Sequence, residues 1–468
     1  MNRFSQKAMR AWADMGPRFL PFADAASPDL PLSRLLRLSL FQISVGMALV
    51  LLVGTLNRVM IVELGVPASL VATMISLPVL FAPFRALIGF RSDNHRSALG
   101  WRRVPYIWQG TMIQFGGLAI MPFALLVLSG GGNASAWPAW IGHAGAGLAF
   151  LLVGAGLHIT QTAGLALATD LAPPESQPKV VGLMYVMQLL GMIVSALVFG
   201  AALADFSPGR LVQVIQAAAV TTIALNILAL WKQETRNRAR TAANRPQPSF
   251  RESWRSFTEG DHAVRRLLAV GLGTMAFSMQ DVLLEPYGGQ VLNMSVGATT
   301  KLSATLAVGG LLGFGLASRI LGRGADPYRL AAQGALLGIP AFLAVIFAAP
   351  LDTQMLFALG VLLIGFGGGL FAHGTLTATM QLAPPDQVGL ALGAWGAVQA
   401  TTAGIGVALG GIVRDVVASM GSHGMVLAGL QGPVAGFTMV YALEVLLLLA
   451  TFVAMAPLVR RPARAVAA

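Results

Sequence analysis

The chain has no cysteine in 468 residues, which excludes disulfides, thiolate metal sites and cysteine nucleophiles at once. Charge is scarce too: Asp, Glu, Lys and Arg make up 11% of the residues, against 56% that are hydrophobic. A soluble chain of this length needs more polar surface than that. No H-E-x-x-H or G-x-x-x-x-G-K-[ST] string occurs, and no nucleophile–base spacing stands out, so the sequence makes no case for an enzyme. A cleavable signal is also missing. The first 36 residues hold charges and prolines but no apolar stretch before a small-residue cleavage site.

What fills the chain instead is long, uncharged apolar runs. A bilayer core takes ~20 such residues per helix. The short alternating strands of a barrel are not seen, so α-helices are what can satisfy the backbone in lipid. The expected fold class is an all-α polytopic membrane protein with spans at Leu38–Leu56, Ala68–Ile88, Val104–Leu128, Trp140–Leu167, Val180–Leu203 and Leu211–Trp231. Six more follow at Leu267–Val291, Leu302–Leu321, Leu330–Ala349, Met355–Met380, Val388–Val413 and Ala435–Val459. Between the two sets lies Trp231–Arg266, a polar stretch with nine of the 31 Lys and Arg residues. The expected organisation is an N-terminal cytoplasmic or interfacial segment (1–36), a six-helix half (37–231), a basic linker (232–266), a second half (267–459) and a cytoplasmic tail (460–468).

A sequence pI of 11.1 would suit a nucleic-acid partner, but the distribution of the charge says otherwise. With both termini on one side, 27 of the 31 Lys and Arg residues fall on that side. The opposite side has Arg58, Arg210, Lys301 and Arg414. Such asymmetry puts both termini in the cytoplasm, and no nucleic acid is expected. At the N-terminus, Phe4, Ala8, Trp12 and Met15 share one helical face and Arg3, Lys7, Arg10 and Asp14 the other. That pattern predicts an interfacial helix on anionic membrane lipids.

The two halves carry an internal repeat. LLVGAGLHITQTAGLALATDLAPPE from Leu151 slides without a gap onto LLIGFGGGLFAHGTLTATMQLAPPD from Leu362, an offset of 211 residues. Gly154 meets Gly365, Gly156 meets Gly367, Leu171 to Pro174 meet Leu382 to Pro385, and Glu175 meets Asp386. Composition alone does not place an LAPP-acid run at one fixed offset. Six spans repeated in the same orientation give halves related by an axis along the membrane normal, the major facilitator arrangement. The second span then runs into Gly89, Asp93, Arg102 and Arg103. This resembles the facilitator loop motif, with Gly89 allowing close helix contact and Asp93 capping or pairing at a helix end.

Ionisable residues inside spans are candidates for function. Asp281 and Glu285 lie four apart on the seventh span, and an offset of 223 brings Asp281 opposite Arg58 of the first. An Arg58–Asp281 or Arg58–Glu285 pair across the halves would hold the periplasmic side closed; the alternative is that the groups snorkel independently. His158 and His373 are the histidines deep in spans, each one turn from the other's equivalent. Imidazole suits the magnesium of a chlorin, while the plainer reading is a helix-packing histidine.

The runs RFLPFADA, LPLSRLLRLSLFQISVGMA, GTLNRVMIVELGVP, FAPFRALIGFRSDNHRSALGWRRVPYIW and QFGGLAIMPFAL, with the LAPPE and LAPPD repeats, closely resemble the PucC/LhaA family. This is the bacteriochlorophyll-delivery branch of the major facilitator superfamily. The resemblance implies a light-harvesting assembly factor in the inner (intracytoplasmic) membrane. Its cargo would be bacteriochlorophyll, and its partners the light-harvesting α/β polypeptides and pigment-synthesis enzymes. It supplies no pigment ligand, so His158 and His373 stand on the residue reading alone. The rival expectation is a proton-coupled small-solute transporter in which Asp281 and Glu285 titrate. A scaffold without cargo is a third.

Overall fold

A computed structural model describes residues 30–60, 66, 68–97, 99–128, 138–174, 176–203, 207–237, 249–259, 262–294, 296–383, 387–422 and 433–459. The amphipathic N-terminus, Glu175 and Asp386 of the repeat, and the 460–468 tail lie outside the described residues. Among those described, every regular element is helical. Eleven helices are long and apolar enough to cross a bilayer, and a twelfth crossing is a pair bent by 41°. The protein is a multi-pass membrane protein of two six-helix halves.

TM1 runs Leu32–Leu38 and Leu40–Leu49, then a π-turn at Val50–Thr55 and Leu56–Arg58; TM2 is Ala68–Phe81 and Phe84–Asp93. TM3 to TM6 are Val104–Leu128, Ala139–Leu171, Gln177–Ala202 and Pro208–Leu230. TM7 is Ala263–Ser278, a 3-10 turn at Met279–Val282, and Leu284–Gln290. TM8 to TM12 are Val296–Leu321, Pro327–Ala348, Gln354–Leu382, Val388–Ser422 and Pro433–Met455.

The 211-residue repeat is visible in the structure. TM4 stops at Leu171 and TM10 at Leu382, each followed by an extended alanine, Ala172 or Ala383. The proline that follows each alanine disfavours the helical region for it, so both helices end at the same word. The paired glycines also do equivalent work. Gly154 lies against Pro78 of TM2, and Gly365 against Leu306 of TM8. Gly156 packs on Gly110 and Gln114 of TM3, and Gly367 on Gly334 of TM9. Each half therefore seats its fourth helix on its second and third through backbone contact that a β-carbon would block.

TM1 and TM7 share a feature that periodicity does not announce. Both leave α-helical geometry at related depths, TM1 by π-turn and TM7 by 3-10 turn. Such breaks free backbone groups inside the membrane and mark places that bend.

The halves meet at the end where the linker lies, here termed the basic end. TM11 lies along TM2 through Gly389, Gly393, Gly396 and Gly404, which face Asp93, Arg85 and Val79. TM8 lies along TM5, with Gly310 beside Leu189 and Gly322 beside Lys179. One apolar core runs through this contact from Phe41 and Tyr185 to Phe314 and Trp395. The far-end part of the first half and the second half have cores of their own. The linker is more than a solvated hinge. A helix at Phe250–Thr258 sets Phe250, Trp254 and Phe257 against Phe90 at the foot of TM2.

Candidate functional site

Two groups of polar residues occupy the contact between the halves. At the basic end, Asp93 ends TM2 and receives Arg103 Nη2 at 2.5 Å. Its other oxygen accepts the Leu390 amide at 2.9 Å, so a residue of the first half caps the first turn of TM11 in the second. Arg103 also donates to Ser92 Oγ at 2.6 Å and to Asp170 Oδ2 at 2.9 Å, and Arg102 reaches the same Asp170 oxygen at 2.5 Å. Burial alone would pull the Arg103 guanidinium down, but Asp93 and Asp170 outweigh it and hold its pKa above the usual arginine range. Glu234, the third residue of the expected linker, accepts from the amides of Arg102 (2.7 Å), Arg103 (3.0 Å) and Val104 (2.9 Å) and so caps TM3. Gly89 is where TM2 touches Gly389. All four motif residues thus build one latch, to which Ser92, Asp170 and Glu234 also belong.

Two turns deeper lies a cluster that the sequence reading missed. Arg85, counted above among the basic-end charges, sits inside TM2 and is 2% exposed. Pro83 restarts the helix just before it, at Phe84. Its Nε donates to Thr162 Oγ1 at 3.0 Å, Nη2 has no partner among the described residues, and the backbone of Gly396 lies against the guanidinium. Thr162 is the repeat equivalent of His373. His158 lies beside Arg85 and the carbonyl of Pro78, and its Nδ1 has no partner among the described residues. Tyr185 also faces Arg85, and no described residue pairs with its hydroxyl.

From Tyr185 an aromatic layer crosses into the second half. Its ring stacks on Phe314 at 5.5 Å and meets Trp395 edge-on at 6.1 Å. Trp395 donates to Thr375 at 3.2 Å, and Phe314 meets His373 edge-on at 5.4 Å. His373 is fully buried and neither ring nitrogen has a partner among the described residues. The two histidines therefore flank one layer, on the second-helix side of each half. Chemically, the cluster combines imidazole lone pairs, a guanidinium able to bind a carbonyl or carboxylate, and flat aromatic faces.

The proposed Arg58 pair is not described, because the Arg58 side chain lies outside the described residues. Asp281 is exposed at the TM7 break and accepts from Gln280 Nε2 at 2.6 Å. Glu285 is exposed one turn on. The carboxylate that faces Asp281 is Glu444 of TM12.

The family described as "PUCC protein" matches residues 55–463. "Protein PucC" of Rhodovulum sulfidophilum is 65% identical over 420 residues, 89% of this chain and 92% of its own. Among solved structures, a bacterial homologue of the iron transporter ferroportin in an outward-facing state superposes with TM-score 0.68 at 15% identity. That match covers 91% of this chain and 98% of the other. The major facilitator superfamily transporter FucP gives 0.60 at 15% identity, covering 95% and 99%. At such identities the structures speak for the fold alone, which is the major facilitator fold. The family match over residues 55–463, with 65% identity to a relative over 89% of the chain, makes the chain a member of the PucC family.

Proposed function

We propose that this protein is an assembly factor for a bacterial light-harvesting antenna, handling bacteriochlorophyll in the membrane and passing it to the α and β antenna polypeptides. It would work in the inner, intracytoplasmic membrane, with the basic end and both termini cytoplasmic. The observation that carries this reading is the divided cluster between the halves, taken with membership of the PucC family. His158, Arg85 and Tyr185 stand on one side of the contact, and Phe314, Trp395 and His373 on the other.

With the latch closed, the aromatic rings cover one another and His373 is sealed behind Phe314. Parting the halves at the basic end would uncover flat apolar faces, a guanidinium and two imidazoles together. That is the equipment for a planar tetrapyrrole: faces to stack on, a donor for a ring carbonyl and an axial ligand for magnesium. A mostly apolar cargo also suits spans with few charges. Pigment-synthesis enzymes would meet the complex on the same side.

The test is purification in mild detergent from a pigment-making host. Wild-type protein should carry near-infrared bacteriochlorophyll bands, and His158→Leu should lose most of them while the protein remains monodisperse. A colourless wild-type protein that moves a small solute with protons would favour the second reading, a proton-coupled transporter. What favours that alternative is Asp281, a carboxylate exposed at a break in TM7.

A further inference from the structure

Glu444 lies in the middle of TM12 with no exposed surface; the backbone amide of Gln280 is directed at its carboxylate, and no side-chain donor among the described residues reaches either oxygen. An ionised carboxylate in that position is among the most costly groups a membrane protein can bury. Its neighbours make matters worse. Asp281 of TM7 faces it, adding a second negative charge. One turn before Glu444 on the same helix, the hydroxyl of Tyr441 is also buried and unpartnered, and so is Oε1 of Gln280 next to Asp281. Three buried acceptor atoms, Glu444 Oε1 and Oε2 and Gln280 Oε1, thus lie together with only the Tyr441 hydroxyl and the Gln280 backbone amide as donors nearby among the described residues.

Among the described residues, the elements packed on TM12 offer no cation to settle this. TM9 carries no titratable side chain between Leu330 and Ala348. From TM11, Arg414 approaches near the far end, where it lies over Phe437 and bonds Asp415 and Gln290. That is two turns from Glu444. From TM7 come Asp281 and Tyr287, and the Tyr287 hydroxyl is already committed to the Val345 carbonyl at 3.0 Å. Glu285, a turn beyond Asp281, is exposed. What the described residues do not supply to the cluster is a positive charge small enough to fit between buried side chains.

We propose that Asp281 and Glu444 form a proton-binding site, loaded from the far side through Asp281. Asp281 is exposed in the Met279–Val282 turn, past the middle of TM7 toward the far end, and the latch closes the other end. A hydronium ion there gives its proton to the Asp281 carboxylate and leaves as water. The proton then passes to Glu444, which becomes a neutral acid able to donate to Gln280 Oε1, and Asp281 returns to the carboxylate. One proton thus removes the buried negative charge and supplies Gln280 Oε1 with a donor, while the Tyr441 hydroxyl can donate to the carboxyl oxygen left over. Because the Met279–Val282 turn carries both Gln280 and Asp281, occupancy of the site bears directly on the geometry at which TM7 bends. This inference is independent of what the central cluster carries.

Infrared difference spectroscopy of the purified full-length protein, acid minus alkaline, tests it. Wild type should show the carbonyl stretch of a buried protonated carboxylic acid, and the band should disappear in Glu444→Gln and shift in Asp281→Asn. The chain has no cysteine of its own, so spin labels on Ala201→Cys and Met355→Cys report the far-end opening in the same samples. Acidification should change that distance distribution in wild type and leave it fixed in Glu444→Gln. Absence of the band in wild type, or a band unchanged in both variants, overturns the proposal. So does a response to sodium at constant pH that exceeds the response to protons at constant sodium, which would make the ligand a metal cation.

Discussion

The latch and the interior differ in how they treat charge. At the basic end Arg102, Arg103, Asp93, Asp170 and Glu234 all have partners, and the pairs tie TM2, TM3, TM4 and TM11 together. Deeper in the bilayer, where leaving a charge unpaired costs more, Arg85 and Glu444 each have unsatisfied atoms. A membrane protein holds a paired buried charge as structure. An unpaired one persists because a partner that comes and goes completes it. On this view the first half waits for a polar group on a cargo and the second for a proton.

The contrast breaks most forcefully at Arg103. Arg103→Met strips the buried Asp93 of its ion-pair partner and weakens the hold on Asp170, and losing one partner of a buried pair costs ~3–5 kcal/mol. The expected result is a large drop in the detergent melting temperature and loss of folded protein from the membrane. Asp93→Asn should be milder, because an amide oxygen can still accept from Leu390. If Arg103→Met melted like wild type, the latch would be ornamental.

Next in size is an insertion between the halves. At Gly393 a β-carbon would overlap the Arg85 carbonyl, and overpacking of this kind costs ~1–3 kcal/mol. Only the latched state suffers it, so Gly393→Leu should shift the population toward halves parted at the basic end. A single cysteine at Trp395, 1% exposed in this arrangement, should then react with a maleimide about tenfold faster, since ~1.4 kcal/mol corresponds to tenfold in population. An unchanged rate would mean that the TM2–TM11 contact does not govern access.

How much of this could be read in the sequence depends on whether a feature is local. The repeat was legible because Leu-Ala-Pro-Pro acts on its own backbone, so TM4 and TM10 end at Leu171 and Leu382 wherever they are packed. The latch was half legible. Gly89, Asp93, Arg102 and Arg103 belong to a motif, but Glu234 comes from the linker 130 residues after Val104, and no spacing links them. Arg85 was hidden by its neighbours, since Arg91 and Arg96 follow closely and a charge near a span's end reads as part of the loop. The helix restart after Pro83 is what carries it inside. Glu444 is an acid inside an apolar run, Ala435–Val459, but its relation to Asp281 is a packing fact between TM7 and TM12 that no spacing announces. The linker stripe Phe250, Trp254, Phe257 has helical spacing and was legible in principle, obscured by the basic residues around it.

A smaller effect is expected at Glu234. Glu234→Ala uncaps TM3 and detaches the start of the linker from the Arg102–Val104 turn, for which ~1 kcal/mol is the usual cost of a lost cap. Hydrogen exchange should rise at the first amides of TM3 while those of TM9 stay protected. Equal loosening of both helices would show that Glu234 supports the whole fold rather than one helix end.

The smallest change in stability, and the sharpest test of the contrast, is expected at Arg85. If its charge is kept for a cargo, methionine of similar length should be tolerated in the latched state, since it removes a buried cation whose one side-chain acceptor is Thr162. Replacing buried charge by well-packed apolar atoms is often neutral or stabilising. Arg85→Met should therefore melt within ~1 kcal/mol of wild type yet fail to retain cargo on purification. Arg103→Met, the same substitution two turns away, should do the reverse damage to stability. A melting temperature that falls as far for Arg85 as for Arg103 would place both arginines in the latch, and the division between paired structure and unpaired site would not hold.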